Sequence, residues 1–212
     1  MKRRSLLVLA AAAALPAGAF AGGPRFAEGL LWRIESANAE PSFVFGTHHA
    51  GDPRLNGLPA LVQDAFERSR ALMLEYYADQ YGRERFLEAA LHPDGRTLAQ
   101  DIGQDDFERA VEAMRPIGLS REFIGKLKPW GVLLNLRTSR QPAGAEALEA
   151  RLFQLARGRR MPVSQMESVE EQIFTFDEMT PAAQVALLKH YLSHPEELDA
   201  LAERTLQAYL RG

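Results

Sequence analysis

The side chains best suited to chemistry in this sequence gather at Gly46-Thr47-His48-His49, directly after the apolar run Phe43-Val44-Phe45. Histidine is the commonest metal ligand and carries protons near neutral pH, so two adjacent imidazoles at the end of an apolar run mark a candidate centre. A second apolar run, Ala71-Leu72-Met73-Leu74, closes on the carboxylate of Glu75. A weaker one, Met161 to Met166, closes on Glu167. An imidazole and a carboxylate together suit zinc, manganese or cobalt, and either group also serves as a base. His49, Glu75 and Glu167 are the one convergent set that these strand ends offer, with Gly46 and His48 beside them. Two solvated histidines in a loop, and a glutamate that only caps or pairs, are the plainer reading of the same residues.

Other chemistries lack support. His190 and His194 have the spacing that places two imidazoles on one helix face. Tyr191 stands where a zinc protease helix would carry its glutamate, and Pro195 biases His194 out of the helix. Surface histidines near a helix end are the simpler account. His92 stands alone before a Pro-Asp-Gly turn and reads as exposed. No serine sits in a G-x-S-x-G elbow, and neither common glycine-rich phosphate loop occurs. The chain has no cysteine, which removes thiolate nucleophiles and disulfides.

The elements that must position His49 and Glu75 follow from periodicity. Leu30 to Glu35 begins apolar and then alternates, as a strand does, and Ser36 to Pro41 is turn-rich. Ser42 to Phe45 reads as a second strand, able to pair with the first as a hairpin and apolar enough to be buried on both faces. Leu58, Leu61, Val62, Ala65 and Phe66 recur at helical spacing, with Pro59 suited to a first turn. Strand, helix, strand in this order is the right-handed crossover that makes neighbouring parallel strands. His49 and Glu75 would then leave the same edge of one sheet, where open α/β sheets bind ligands.

From Tyr76 to Arg140 the pattern is helical, broken at Pro93-Asp94-Gly95, Pro116-Ile117-Gly118 and Pro129. Trp130 reads as a core residue, and Arg137 and Arg140 as solvated helix charges. Ala145 to Arg157 is amphipathic, and Gly158-Arg159-Arg160 ends it. Helices follow from Glu170, Thr180-Pro181 and Pro195. The fold class is α/β, with a small mixed, mainly parallel central sheet flanked by many helices.

The 212 residues, 46% apolar and 25% charged, fit one globular domain with its own core. Lys2, Arg3 and Arg4 precede an apolar run from Leu6 to Leu15, and Ala19-Phe20-Ala21 supplies a small-x-small cleavage site. Residues 1–21 thus have the layout of a bacterial signal peptide, too short in the apolar part to span a membrane, which leaves 22–212 as a single domain. Export to the periplasm or beyond is expected, by the general secretory route, with Arg3-Arg4 admitting the twin-arginine route as well. Losing those three cations takes the formal charge from −3 to −6, which disfavours non-specific nucleic-acid binding.

Taken in order, these segments resemble the TraB/GumN family, relatives of the Tiki-type metalloproteases. The resemblance is carried by Leu31-Trp32-Arg33-Ile34-Glu35, by Phe43 to His49, and by Ala71 to Glu75. It continues through Glu149 to Ala156, Pro162-Val163 and Met166-Glu167-Ser168-Val169-Glu170-Glu171-Gln172. It implies that Gly46 to His49 is the first of two G-x-x-H motifs, that His49 is the functional histidine with His48 at a variable position, and that Glu75 is the family's strand-end glutamate. Its Tiki branch implies metal-dependent cleavage of peptide bonds; for most bacterial members no substrate is implied. Members usually add further helices and a late strand carrying the second G-x-x-H, and no other glycine here stands three residues before a histidine. The expectation is a shortened form, incomplete relative to the family, with two protein ligands where a catalytic zinc takes three. An apolar sheet edge would be left for a second copy or a partner to cover. Two functions follow from this reading: an exported metal-dependent hydrolase, with His49 and Glu75 as ligands and catalytic groups, or a non-catalytic binding or accessory protein on the same scaffold.

Overall fold

Alternation from Leu31 onward, broken at Ala37-Asn38, folds as the expected antiparallel hairpin of β1 (Leu31–Ser36) and β2 (Ala39–Phe45). Leu31 lies opposite Phe45 and Ile34 opposite Ser42, with a register shift before Ser36. The computed structural model describes residues 29–142 and 144–212, so the leader-like stretch 1–21 lies outside the described residues. Pro59 precedes α1 (Ala60–Arg68), which buries Val62 and Ala65. The chain then enters β3 (Leu72–Leu74), whose ladder partner is β4 (Val163–Gln165), parallel and with Leu72 opposite Val163.

The fold is mixed α/β with helices predominating, as the periodicity predicts. The strands, however, divide into two separate two-stranded ladders, β1–β2 and β3–β4. No ladder bond joins β2 to β3, contrary to the expected pairing of strands across α1. A cleft of about 880 Å³ lies between them, lined by both strands, by Val62, Ala65 and Phe66 of α1, and by Leu152. This cleft explains a second difference. β2 was expected to be buried on both faces, yet Val44 is 49% exposed, and on the opposite side Met73 is 61% exposed.

Between β3 and β4 runs the helical layer that contains the core. It comprises α2 (Gln80–Ala90), α3 (Leu98–Ile102), α4 (Gln104–Met114), α5 (Arg121–Lys126) and α6 (Pro129–Ser139). Local rules set their ends. Asp79 caps α2 through Gly82 N–H at 2.7 Å, Thr97 and Gln100 form a capping box on α3, and Pro129 opens α6. Trp130 is buried, stacked on Phe176 with ring centroids 5.3 Å apart, and its indole N–H donates to Asp177 at 2.8 Å. Leu98, Met114, Ile124, Leu127 and Leu188 close around it.

The chain returns to the strands through α7 (Leu148–Gly158), whose buried stripe Leu148, Leu152 and Ala156 faces β3 and β4. A capping box of Ser168 and Glu171 starts α8 (Val169–Asp177) immediately after β4. Thr180 caps α9 (Pro181–Ser193), and α10 (Pro195–Arg211) carries Tyr209 back to the end of β2. Among the described residues, no helix is long and apolar enough to cross a membrane.

Candidate functional site

The Gly46–His49 segment leaves β2 and is held from two sides. Gly46 N–H donates to Leu30 O at 2.8 Å, and Gly46 O accepts from the Tyr209 hydroxyl at 2.9 Å. Gly46 therefore serves through its backbone; a Cβ there would approach nothing closer than 3.9 Å. His48 turns inward. It is 9% exposed, meets the Tyr209 ring edge-on at 5.6 Å, and has Nδ1 3.0 Å from Ala50 O. This histidine braces the loop, and the next one faces the cleft.

His49 places its two ring nitrogens against two carboxylates. Nδ1 lies 2.8 Å from Glu149 Oε1 on α7, and Nε2 lies 3.6 Å from Glu75 Oε2 at the end of β3. Thr47, two residues earlier, donates its hydroxyl to the same Glu149 oxygen. The Glu149 side chain is only 17% exposed, against 64% for His49 and 47% for Glu75. The structure thus brings His49 and Glu75 to a common rim, although their strands are not bonded to each other.

Glu167 stands one step back. Its backbone N–H donates to Glu75 O at 2.9 Å, and Gln172 Nε2 bridges the two side chains, 3.3 Å from Glu75 Oε1 and hydrogen-bonded to Glu167. Glu167 steadies Glu75 and does not itself reach His49. Tyr209, beside the loop, has its phenol pushed up to about 12, chiefly by burial and further by the negative charge of Glu149. Beyond His49, Asp52 and Glu203 clasp Arg54 at 2.8 Å each, fastening the motif loop to α10. Arg54 draws the Glu203 carboxyl down to about 2 and lowers that of Asp52.

What this set could hold depends on its donors. With Nδ1–H directed at Glu149, the Nε2 lone pair faces Glu75, which is the tautomer a metal ligand requires. Glu149 Oε2 is buried without a hydrogen-bond partner, an oxygen left available to a further donor or cation. Nitrogen and carboxylate donors backed by a second carboxylate fit a divalent cation in kind. In number they fall short: among the described residues no three His, Asp or Glu side chains converge on one point. Glu149 and Glu75 lie on opposite sides of the imidazole, so one ion at Nε2 would take His49 and Glu75 and leave Glu149 as the group that orients the ring.

Glu149 is the site residue that sequence reasoning missed. It sits beside Leu148 in the first turn of an amphipathic helix, where a glutamate reads as ordinary helix-end charge. The other histidines stand elsewhere. His190 Nε2 pairs with Glu197 at 2.8 Å and stacks on His194 at 4.9 Å, exposed on α9 as expected. His92 corrects its expectation: its side chain is 10% exposed and lies 3.0 Å from Asp101. The cause is backbone pairing, since His92 N–H donates to Lys126 O at 2.9 Å next to a Leu91–Leu127 bridge. Arg140 is likewise engaged, by Asp199.

Comparisons with curated proteins and with solved structures gave no match. The sequence model of the TraB/PrgY/gumN family matches residues 30–212, which takes in both ladders, every described helix and all of His49, Glu75, Glu149 and Glu167. The chain belongs to the TraB/PrgY/gumN family.

Proposed function

We propose that this chain is an exported, metal-dependent hydrolase in which His49 and Glu75 hold the ion, with a peptide or other acyl compound as substrate. The observation that carries this reading is the division of the His49 ring between Glu149 at 2.8 Å and Glu75 at 3.6 Å. A divalent cation bound there would supply a water of lowered pKa and positive charge for a developing oxyanion. Glu149 fixes the imidazole tautomer and, with Thr47, its orientation. Glu75, half-exposed at the mouth of the cleft, also suits proton transfer from an attacking water to the leaving group of a bound acyl compound. The remaining coordination would come from solvent, substrate or another chain.

Cobalt(II), zinc and manganese titrations of the purified chain test this reading, with peptide cleavage followed by mass spectrometry. One equivalent should bind, and His49→Ala and Glu75→Ala should each weaken binding by about tenfold or more. If His49→Ala alters neither metal retention nor melting, the reading fails. The second reading, a binding or accessory protein on the same scaffold, is favoured by the open cleft between β2 and β3. Metal binding without turnover would select it. Export is part of the same proposal, and amino-terminal sequencing of secreted or periplasmic protein should begin at Gly22.

A further inference from the structure

β2 and β3 each present an edge with no ladder partner, and the two edges flank the same cleft. The Gly46 N–H to Leu30 O bond fixes the phase of the hairpin: Trp32 with Val44 and Ile34 with Ser42 exchange hydrogen bonds. Phe43 and Phe45 consequently turn their N–H and C=O groups away from β1, toward the cleft they line. In the parallel pair, Leu72 N–H donates to Pro162 O and Met166 N–H to Leu74 O, each at 2.9 Å. Leu72 and Leu74 therefore face β4, and Met73 directs its backbone groups the other way. Among the described residues, the outward groups of Phe43, Phe45 and Met73 have no backbone partner. Unpaired edges beside apolar surface are what an added strand completes.

Charge defines the orientation of the occupant. At the rim where β2 and β3 end stand Glu75 and Glu149, both lining the cleft, with Glu167 behind them and the imidazole of His49 between. A cationic side chain is the complement of that end.

We propose that the cleft accepts an extended segment of a second polypeptide, laid as a strand between β2 and β3, apolar at alternate positions and carrying a basic residue at the Glu75–Glu149 end. Strand addition of this kind takes affinity from backbone hydrogen bonds and register from alternate side chains. It does not depend on metal at His49.

Fluorescence anisotropy of the full chain with a labelled peptide of about ten residues, alternating valine and threonine and ending in arginine, tests the proposal. The peptide should bind in the micromolar range in the presence of chelator, which keeps Glu75 free of metal. Methylating alternate backbone nitrogens removes N–H donors and keeps the side chains, and should weaken binding by about tenfold or more. Glutamate in place of the terminal arginine should weaken it as well. Met73→Pro removes an outward donor and no bond to β4, so it should weaken binding by about tenfold while circular dichroism and melting stay at parent values. Equal binding of the methylated peptide, or no binding of the parent peptide up to millimolar concentration, overturns the proposal. So does a dimer seen by light scattering that excludes the peptide, which would make a second copy the occupant. Should Met73→Pro fail to fold, the methylated peptide decides on the parent chain alone.

Discussion

His49 and Glu149 meet at 2.8 Å through Nδ1 and Oε1, joining the loop after β2 to the first turn of α7. This contact turns an exposed histidine into an oriented one, because a carboxylate at one ring nitrogen favours the proton there and leaves the lone pair of the other nitrogen free. Thr47 donates to the same oxygen and so holds it in place. The loop, α7 and the end of β3 act as one unit around the imidazole.

Glu149→Gln should leave the fold intact and weaken metal binding by about 10- to 100-fold, the usual effect of losing a carboxylate behind a ligating histidine. Isothermal titration with zinc, alongside circular dichroism, separates this from unfolding. Unchanged affinity would remove Glu149 from the site.

Tyr209→Phe should cost about 1 kcal/mol in chemical denaturation, the net worth of its hydrogen bond to Gly46 O. The raised phenol pKa has a sign of its own. Its contribution to stability is complete below the ordinary value of 10 and is lost as pH rises toward about 12. Ultraviolet titration should show one late-ionising tyrosine fewer in the variant than in the parent, with Tyr76, which burial also raises, remaining in both.

Acid sensitivity should follow Arg54. Glu203 is held at about 2 against an ordinary 4.5, and Asp52 is lowered too, so their contribution is full above the ordinary carboxylate range and fades as pH falls toward 2. Melting curves between neutral pH and pH 2 should be flatter in Arg54→Ala than in the parent. The Arg54–Glu203 pair is exposed, so high salt should blunt the difference.

Gly51→Ala should destabilise the chain by about 1–3 kcal/mol, since a Cβ there would come within 2.6 Å of the Ala145 backbone. That close approach ties the loop after His49 to the segment leading into α7. Metal affinity should fall along with melting temperature, because the strain displaces His49 relative to Glu149.

Trp130→Ala should be the most destabilising of these changes, at about 3–5 kcal/mol. It removes a buried indole stacked on Phe176 and takes one donor from Asp177, which keeps Lys128 Nζ at 3.2 Å. Urea denaturation measures the loss. His49 chemistry should persist in whatever fraction stays folded.

The boundaries of the elements were legible because they are written locally. Pro129, Thr180-Pro181 and the Ser168–Glu171 capping box start helices with groups a few residues apart. The two apolar runs ending at Gly46 and Glu75 marked strand ends on their own. The sequence thus determined which residues stand at the strand ends, and the fold brings His49 and Glu75 to one rim without pairing their strands. Tertiary structure alone decided that β3 pairs with β4 and not with β2, since a short apolar strand carries no address for its neighbour. It also decided the partner of His49, because a glutamate on a helix face becomes an orienting group only once packing of Leu148 and Leu152 against the strands has brought it within hydrogen-bond reach.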